Sequence, residues 1–225
     1  MKNLLPILVL LLSTNINSQN KLKESVDLFT NNNVYFNEHH EELFFLQLQL
    51  IRMKIVRQKK LKGFPLSTIG EHFNDFFHNH LPFELTNAQK RVLKEIRQDC
   101  SRESQMNRLL QGDVGSGKTI VAALASAQMV ERSYQVAIMA PTEILAEQHY
   151  LKFKEWFEPL GVSVIWLAGG MKAKEKKQAQ ELIESGQAQI VVGTHALIQD
   201  AVHFAALGLA VIDEQHRFGV RQRLE

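Results

Sequence analysis

From residue 82 onward, short apolar runs alternate with longer segments in which apolar residues recur every three or four positions. The runs cover 108–111, 136–140, 162–167, 190–192 and 209–212. They are too short for helices and lack the alternation of a half-exposed strand, so they predict strands buried on both faces. The periodic segments between them predict helices over 118–131, 143–157 and 172–185. One more helix opens at Leu85-Thr86-Asn87-Ala88-Gln89, with Thr86 as a good N-cap, and runs through Val92, Leu93 and Ile96. Strands separated by helices imply an α/β fold, a parallel sheet covered by helices on both faces. Ligands of such sheets bind at the carboxyl ends of the strands.

The pattern before residue 82 is different. Over 38–61 the chain is helix-like, with Leu43, Phe44, Leu46, Leu48, Leu50 and Ile51 followed by Met53, Ile55 and Val56. Its end is basic through Arg52, Lys54, Arg57, Lys59, Lys60 and Lys62, until Gly63 and Pro65 break it. That end fits either a stem along a nucleic-acid backbone or the solvated end of a packed helix. Residues 38–80 therefore read as a helical connector to a main domain at 81–225. Residues 1–37 stay unassigned. Within them 1–19 resemble a secretory signal, with Lys2, an apolar run from Leu4 to Leu12 and a polar segment after it. The run is shorter than the roughly 20 residues that span a bilayer. Residues 20–37, with Asn31-Asn32-Asn33, read as a polar linker.

Composition narrows little. The 225 residues are 45% hydrophobic and 22% charged, ordinary for a globular chain. With 26 basic and 24 acidic residues the net charge is +2, too mild to diagnose nucleic-acid binding by bulk charge. Cys100 is alone, which excludes an internal disulfide framework or a cysteine metal cage and suits a reducing compartment. His39, His40, His72, His78 and His80 lack the spacing and partners of a zinc site.

The chemistry is concentrated in Gly112-Asp113-Val114-Gly115-Ser116-Gly117-Lys118-Thr119. This segment satisfies G-x-x-x-x-G-K-[ST] and lies between a predicted strand and a predicted helix, the setting a phosphate loop requires. Its glycines let backbone N–H groups converge on a phosphate chain, and the helix opening near Gly117 adds its positive dipole end. Lys118 supplies a charge for the β- and γ-phosphates, and the Thr119 hydroxyl can ligate Mg²⁺. The strand at 209–212 ends in Asp213-Glu214-Gln215-His216. Asp213 would share the metal with Thr119, and Glu214 could orient and deprotonate a water near the γ-phosphate. ATP and Mg²⁺ are the expected cofactors. A nucleotide-driven protein needs ATP, so the signal-like start is expected to be spurious or fusion-derived rather than a working export signal. The location expected is cytoplasmic, with no membrane partner.

These two segments resemble motifs I and II of superfamily 2 helicases. Ala140-Pro141-Thr142-Glu143-Ile144-Leu145-Ala146-Glu147-Gln148-His149 resembles motif Ia, and Val191-Val192-Gly193-Thr194-His195-Ala196-Leu197 a later nucleic-acid-contacting motif of the same lobe. The wording of the phosphate loop and of Asp-Glu-Gln-His-Arg-Phe-Gly-Val is similar to RecG-type branched-DNA helicases from about Glu41 to Glu225. Transcription-repair coupling factor, the nearest relative of that family, usually has Asp-Glu-Glu-His and a different residue in place of Ser116. The resemblance implies a RecA-like P-loop NTPase lobe and ATP-dependent work on forked or Holliday-junction DNA in repair and recombination. It implies that Gln89 reads the adenine edge, that Thr142 and Thr194 donate to DNA phosphates, and that His216 couples nucleotide state to DNA contacts. As structure alone, both threonines could be N-caps. Arg217, Arg221 and Arg223 could meet DNA or an opposite lobe.

The family pattern also has a wedge domain before the motor and a second motor lobe after it, neither of which this sequence matches. The expectation is a first lobe truncated after motif II, lacking the arginines that complete hydrolysis. One alternative is a nucleotide-binding remnant without net helicase activity. Another is a small-molecule P-loop kinase, but nothing in that class calls for motif Ia or Asp-Glu-Gln-His.

Overall fold

The computed structural model describes residues 8–13, 45–49, 51–52, 65, 70–81 and 83–214, with backbone alone at 8–13, 71 and 72. Six parallel strands form one sheet. They are β1 (Leu8–Ser13), β2 (Asn107–Gln111), β3 (Gln135–Met139), β4 (Val164–Leu167), β5 (Ile190–Gly193) and β6 (Leu207–Asp213). Their order across the sheet is β2-β1-β6-β3-β5-β4. The helices are α1 (Glu71–Asp75), continued by a π-helical turn at Phe76–His80, then α2 (Asn87–Cys100), α3 (Lys118–Val130), α4 (Glu143–Phe157) and α5 (Ala173–Glu184). Residues 45–49 and 51–52 are helical too, and Phe45, Leu46, Leu48 and Ile51 are exposed.

Side chains alternate across a strand, so one sheet feeds two cores. Val136, Ile138, Ile190, Val192, Leu209 and Val211 point to one face, where α3 and the Phe153 and Phe157 side of α4 cover them. Ala137, Met139 and Val191 point to the other, where Ala179 and Ile183 of α5 and Ala196 and Leu197 complete the layer. This is the α/β sheet covered on both faces that the apolar runs predict. Helix α3 is buried from Ile120 through Val130, since α1 and α2 lie over it. The small residues Ala122, Ala123, Ala125 and Ala127 let it lie close on both sides.

Strand β1 is the main departure from the sequence reading. The apolar run that resembles a signal supplies an interior strand. Leu8–Ser13 pairs with β2 on one side and with β6 on the other. An apolar run of this length suits a parallel strand buried on both faces as well as it suits a leader, and only its sheet partners separate the two. Among the described residues no helix is long and apolar enough to cross a membrane.

Two polar clusters fix elements around the sheet. Arg108 on β2 donates to Asp99 through Nε (2.9 Å) and Nη2 (2.6 Å), and to Glu95 through Nη1 (2.6 Å), tying α2 to the sheet edge. These bonds hold the guanidinium's pKa above its usual value despite the opposing effect of burial. Gln135, 2% exposed, donates to the carbonyls of Ile183 and Ala188 and accepts from Ala206 N–H. One amide thus joins the end of α5 to the starts of β5 and β6.

Candidate functional site

Strand β2 ends at Gln111 and α3 begins at Lys118, leaving 112–117 as the loop between them. Gly115 and Gly117 have φ of 79° and 78°, a left-handed backbone that L side chains rarely adopt. At Gly112 the constraint is space, because a Cβ there would meet Ser116 Oγ at 2.6 Å. The loop closes on itself through Ser116 N–H to the Asp113 carbonyl (3.1 Å). Lys118 Nζ reaches back over it to the carbonyls of Gly112 (2.8 Å) and Asp113 (2.9 Å). Val114 stands at the tip, 89% exposed. Thr119, half-buried, follows Lys118 in the first turn of α3. The first N–H groups of that helix have no partner within it and form an electropositive end.

Gln89 lies against this loop. Thr86 caps α2 as expected: its hydroxyl accepts from Gln89 N–H, and Gln89 Oε1 accepts from Thr86 N–H in return. The remaining group, Gln89 Nε2, donates to the Ser116 carbonyl at 3.0 Å. A Cβ on Gly117 would collide with the same nitrogen.

Asp213 ends β6 and Glu214 follows it, at the same carboxyl end of the strands as the loop after β2. Leu12 of β1 is in register with Asp213, and Ser13 with Gln111. One strand therefore separates the two halves of the site, placing their backbones about 10 Å apart at the usual strand spacing. Glu214 has φ of 49°, a left-handed conformation uncommon outside glycine and recurrent at functional sites. Asp213 Oδ2 lies 2.7 Å from His149 Nε2 of α4. His149 is absent from the roles drawn from sequence, although it stands inside the motif Ia segment. The available signal was its spacing: Ala146, His149, Phe153 and Phe157 form the buried stripe of α4, and a histidine on that stripe needs a partner.

The residues fit a magnesium–nucleotide complex. The loop is a glycine-dependent cradle with a lysine folded over it, and a carboxylate and a hydroxyl are available beside it. Among the described residues no cluster of three or more His, Cys, Asp or Glu could hold a metal alone.

The expected DNA contacts divide. Thr142 is exposed and caps α4, its hydroxyl accepting from Leu145 N–H at 3.3 Å. Thr194 is 2% exposed, its hydroxyl has no hydrogen-bond partner, and it does not cap the short 3₁₀ turn that follows. Gly193 pairs with Leu167 of β4, and a Cβ there would collide with the Leu167 carbonyl. In this conformation His195, not Thr194, faces solvent. His216, with Arg217, Arg221 and Arg223, lies outside the described residues.

The DEAD/DEAH box helicase family model matches residues 86–225. The chain is similar to the ATP-dependent DNA helicase RecG of Aquifex aeolicus, 48% identical over 206 residues, which are 92% of this chain and 25% of that protein. The RecG of Escherichia coli K12 is 50% identical over 188 residues, 82% of this chain and 26% of the relative. The chain thus spans about a quarter of the length of the curated relatives it matches. A solved structure of RecG bound to a three-way DNA junction superimposes with a TM-score of 0.72 at 49% identity, covering 80% of this chain and 24% of that one. An ATP-dependent RNA helicase described as hypothetical, from Sulfolobus tokodaii, shares the fold at a TM-score of 0.51 and 20% identity, over 66% of this chain and 42% of its own.

Proposed function

Since the chain belongs to the DEAD/DEAH box helicase family, we propose that it is the ATP-binding lobe of a RecG-type DNA helicase working on branched DNA in repair and recombination. The observation that carries this reading is that the loop 112–119 and Asp213 with Glu214 both follow strands at their carboxyl ends, one strand apart. The similarity to RecG at about half identity supports the substrate class.

In this reading the N–H groups of 115 and 117–119 and the Lys118 ammonium bind the phosphate chain, while Ser116 N–H stays on the Asp113 carbonyl. Lys118 exchanges its bonds to the Gly112 and Asp113 carbonyls for phosphate oxygens, a charge-assisted and stronger pairing. Asp213 and Thr119 would hold Mg²⁺, which neutralises charge on the β- and γ-oxygens when bound. Glu214 orients the attacking water and accepts its proton. Gln89, held to the loop through Ser116, would then meet the base of the nucleotide. The exposed N-terminus of α4 at Thr142 takes a DNA phosphate through its amides and hydroxyl. A second lobe would supply the arginine charge worth about 10³–10⁵ in rate at sites of this kind.

ATP turnover by the 225-residue chain, alone and with forked or linear duplex DNA, tests this reading beside a Lys118→Ala control. Turnover that DNA stimulates and that is absent from the control is the expected result. A folded chain with Lys118-dependent nucleotide binding and no turnover under any condition would favour the nucleotide-binding remnant.

A further inference from the structure

Helix α4 carries one polar residue on its buried face. Of Ala146, His149, Phe153 and Phe157, three are apolar, and the side chain of His149 is 11% exposed on the same face. Its Nε2 lies 2.7 Å from Asp213 Oδ2, whose side chain is itself only 14% exposed. An apolar side chain would fill this place without the desolvation cost of burying polar groups, so packing alone does not account for a histidine here. The same helix is capped by the exposed Thr142, about two turns before His149. Seven residues separate Thr142 from His149, roughly 10 Å along the axis.

Granted the nucleotide-site reading above, we propose that His149 is a positioning residue that makes DNA and magnesium-nucleotide binding sense each other. It ties α4, with its solvent-facing N-terminus, to the carboxylate that would hold the metal. The bond engages one carboxylate oxygen and fixes the carboxylate plane. A helix moves as a unit, so a DNA phosphate drawn onto the Thr142 end displaces the imidazole and with it Asp213. By linkage the effect is reciprocal: whatever factor DNA applies to nucleotide affinity, nucleotide applies to DNA affinity.

The test uses the full 225-residue chain, a fluorescent non-hydrolysable ATP analogue with Mg²⁺, and a forked DNA oligonucleotide. The analogue Kd is measured with and without the fork, and the fork Kd with and without the analogue. In the native chain the two ratios are expected to agree and to differ from one by about fivefold or more. His149→Leu keeps the bulk without the nitrogen and should bring both ratios to one, while analogue binding in EDTA stays unchanged. His149→Gln, which can still donate to Asp213, should restore the coupling. Should leucine unfold the chain, His149→Asn, polar but too short to reach, takes its place under the same two readings. A native ratio of one, or native coupling in a folded leucine or asparagine variant, overturns the proposal. Analogue binding indifferent to Lys118→Ala would instead remove the nucleotide-site reading, and this proposal with it.

Discussion

The side-chain amide of Gln89 joins two elements of the site, closing the cap of α2 with Oε1 while its Nε2 donates to the Ser116 carbonyl at 3.0 Å. The start of one helix is thereby fixed to the phosphate loop that precedes another. Gly117 has the backbone freedom to lie under that amide, and its lack of a Cβ makes the contact possible.

Gln89→Ala should therefore have two separable effects. Loss of one half of the capping box costs about 1 kcal/mol of stability, read as a fall in melting temperature. Loss of the loop contact should weaken ATP-analogue binding beyond what that destabilisation explains. Thr86→Ala, which removes the other half of the box and leaves the Ser116 contact in place, should lower the melting temperature similarly with a smaller effect on binding. Equal binding losses in the two variants would mean that Gln89 acts only as a cap.

Strand β1 makes a prediction of its own. Leu10 is flanked by Arg108 of β2 and Val211 of β6. Proline at an interior strand position removes a ladder donor and is nearly unknown there. Leu10→Pro should lower the melting temperature and separate the phosphate loop from Asp213, abolishing analogue binding. Leu10→Val, which suits a strand, should preserve it. A Leu10→Pro chain with native melting temperature and binding would show that Leu8–Ser13 is not part of the working sheet.

Cys100 adds an alkaline component to the stability. Burial, with Asp99 adding to it, pushes its thiol from 9.0 up to about 12. The folded chain therefore holds this proton more tightly than the unfolded one. The associated stability is fully present below pH 9 and is lost as the pH rises from about 9 toward 12. Between pH 8 and pH 10 the native chain should lose about 1 kcal/mol more than Cys100→Ala, as measured by urea denaturation at the two pH values. Parallel losses would place the alkaline sensitivity elsewhere. The same burial predicts that a thiol reagent modifies Cys100 only in the unfolded chain.

The legible parts of this molecule were those set by local pattern. The loop 112–119 announces itself because phosphate binding fixes residue types at fixed spacings, and Thr86 and Thr142 announce helix starts by local capping chemistry. Helix α4 occupies 143–157, the range its periodicity predicts. Long-range pairing was not legible. Nothing near Leu8–Ser13 records that β2 and β6 flank it, since parallel partners lie far away in sequence. Thr194 is buried where β5 ends beside β4, and the pairing of Gly193 with Leu167 is again a contact between distant segments. The bond from His149 to Asp213 spans 64 positions, and local spacing could show only that the histidine needed a partner.

The central claim is that 112–119 holds a nucleotide triphosphate, and the most direct test is equilibrium binding of a fluorescent non-hydrolysable ATP analogue with Mg²⁺ to the chain and to Lys118→Ala. The account predicts saturable binding by the native chain and an affinity lower by about tenfold or more in the variant, equivalent to about 1.4 kcal/mol, at unchanged melting temperature. Equal affinity in both proteins, or no binding by a folded native chain, would contradict it.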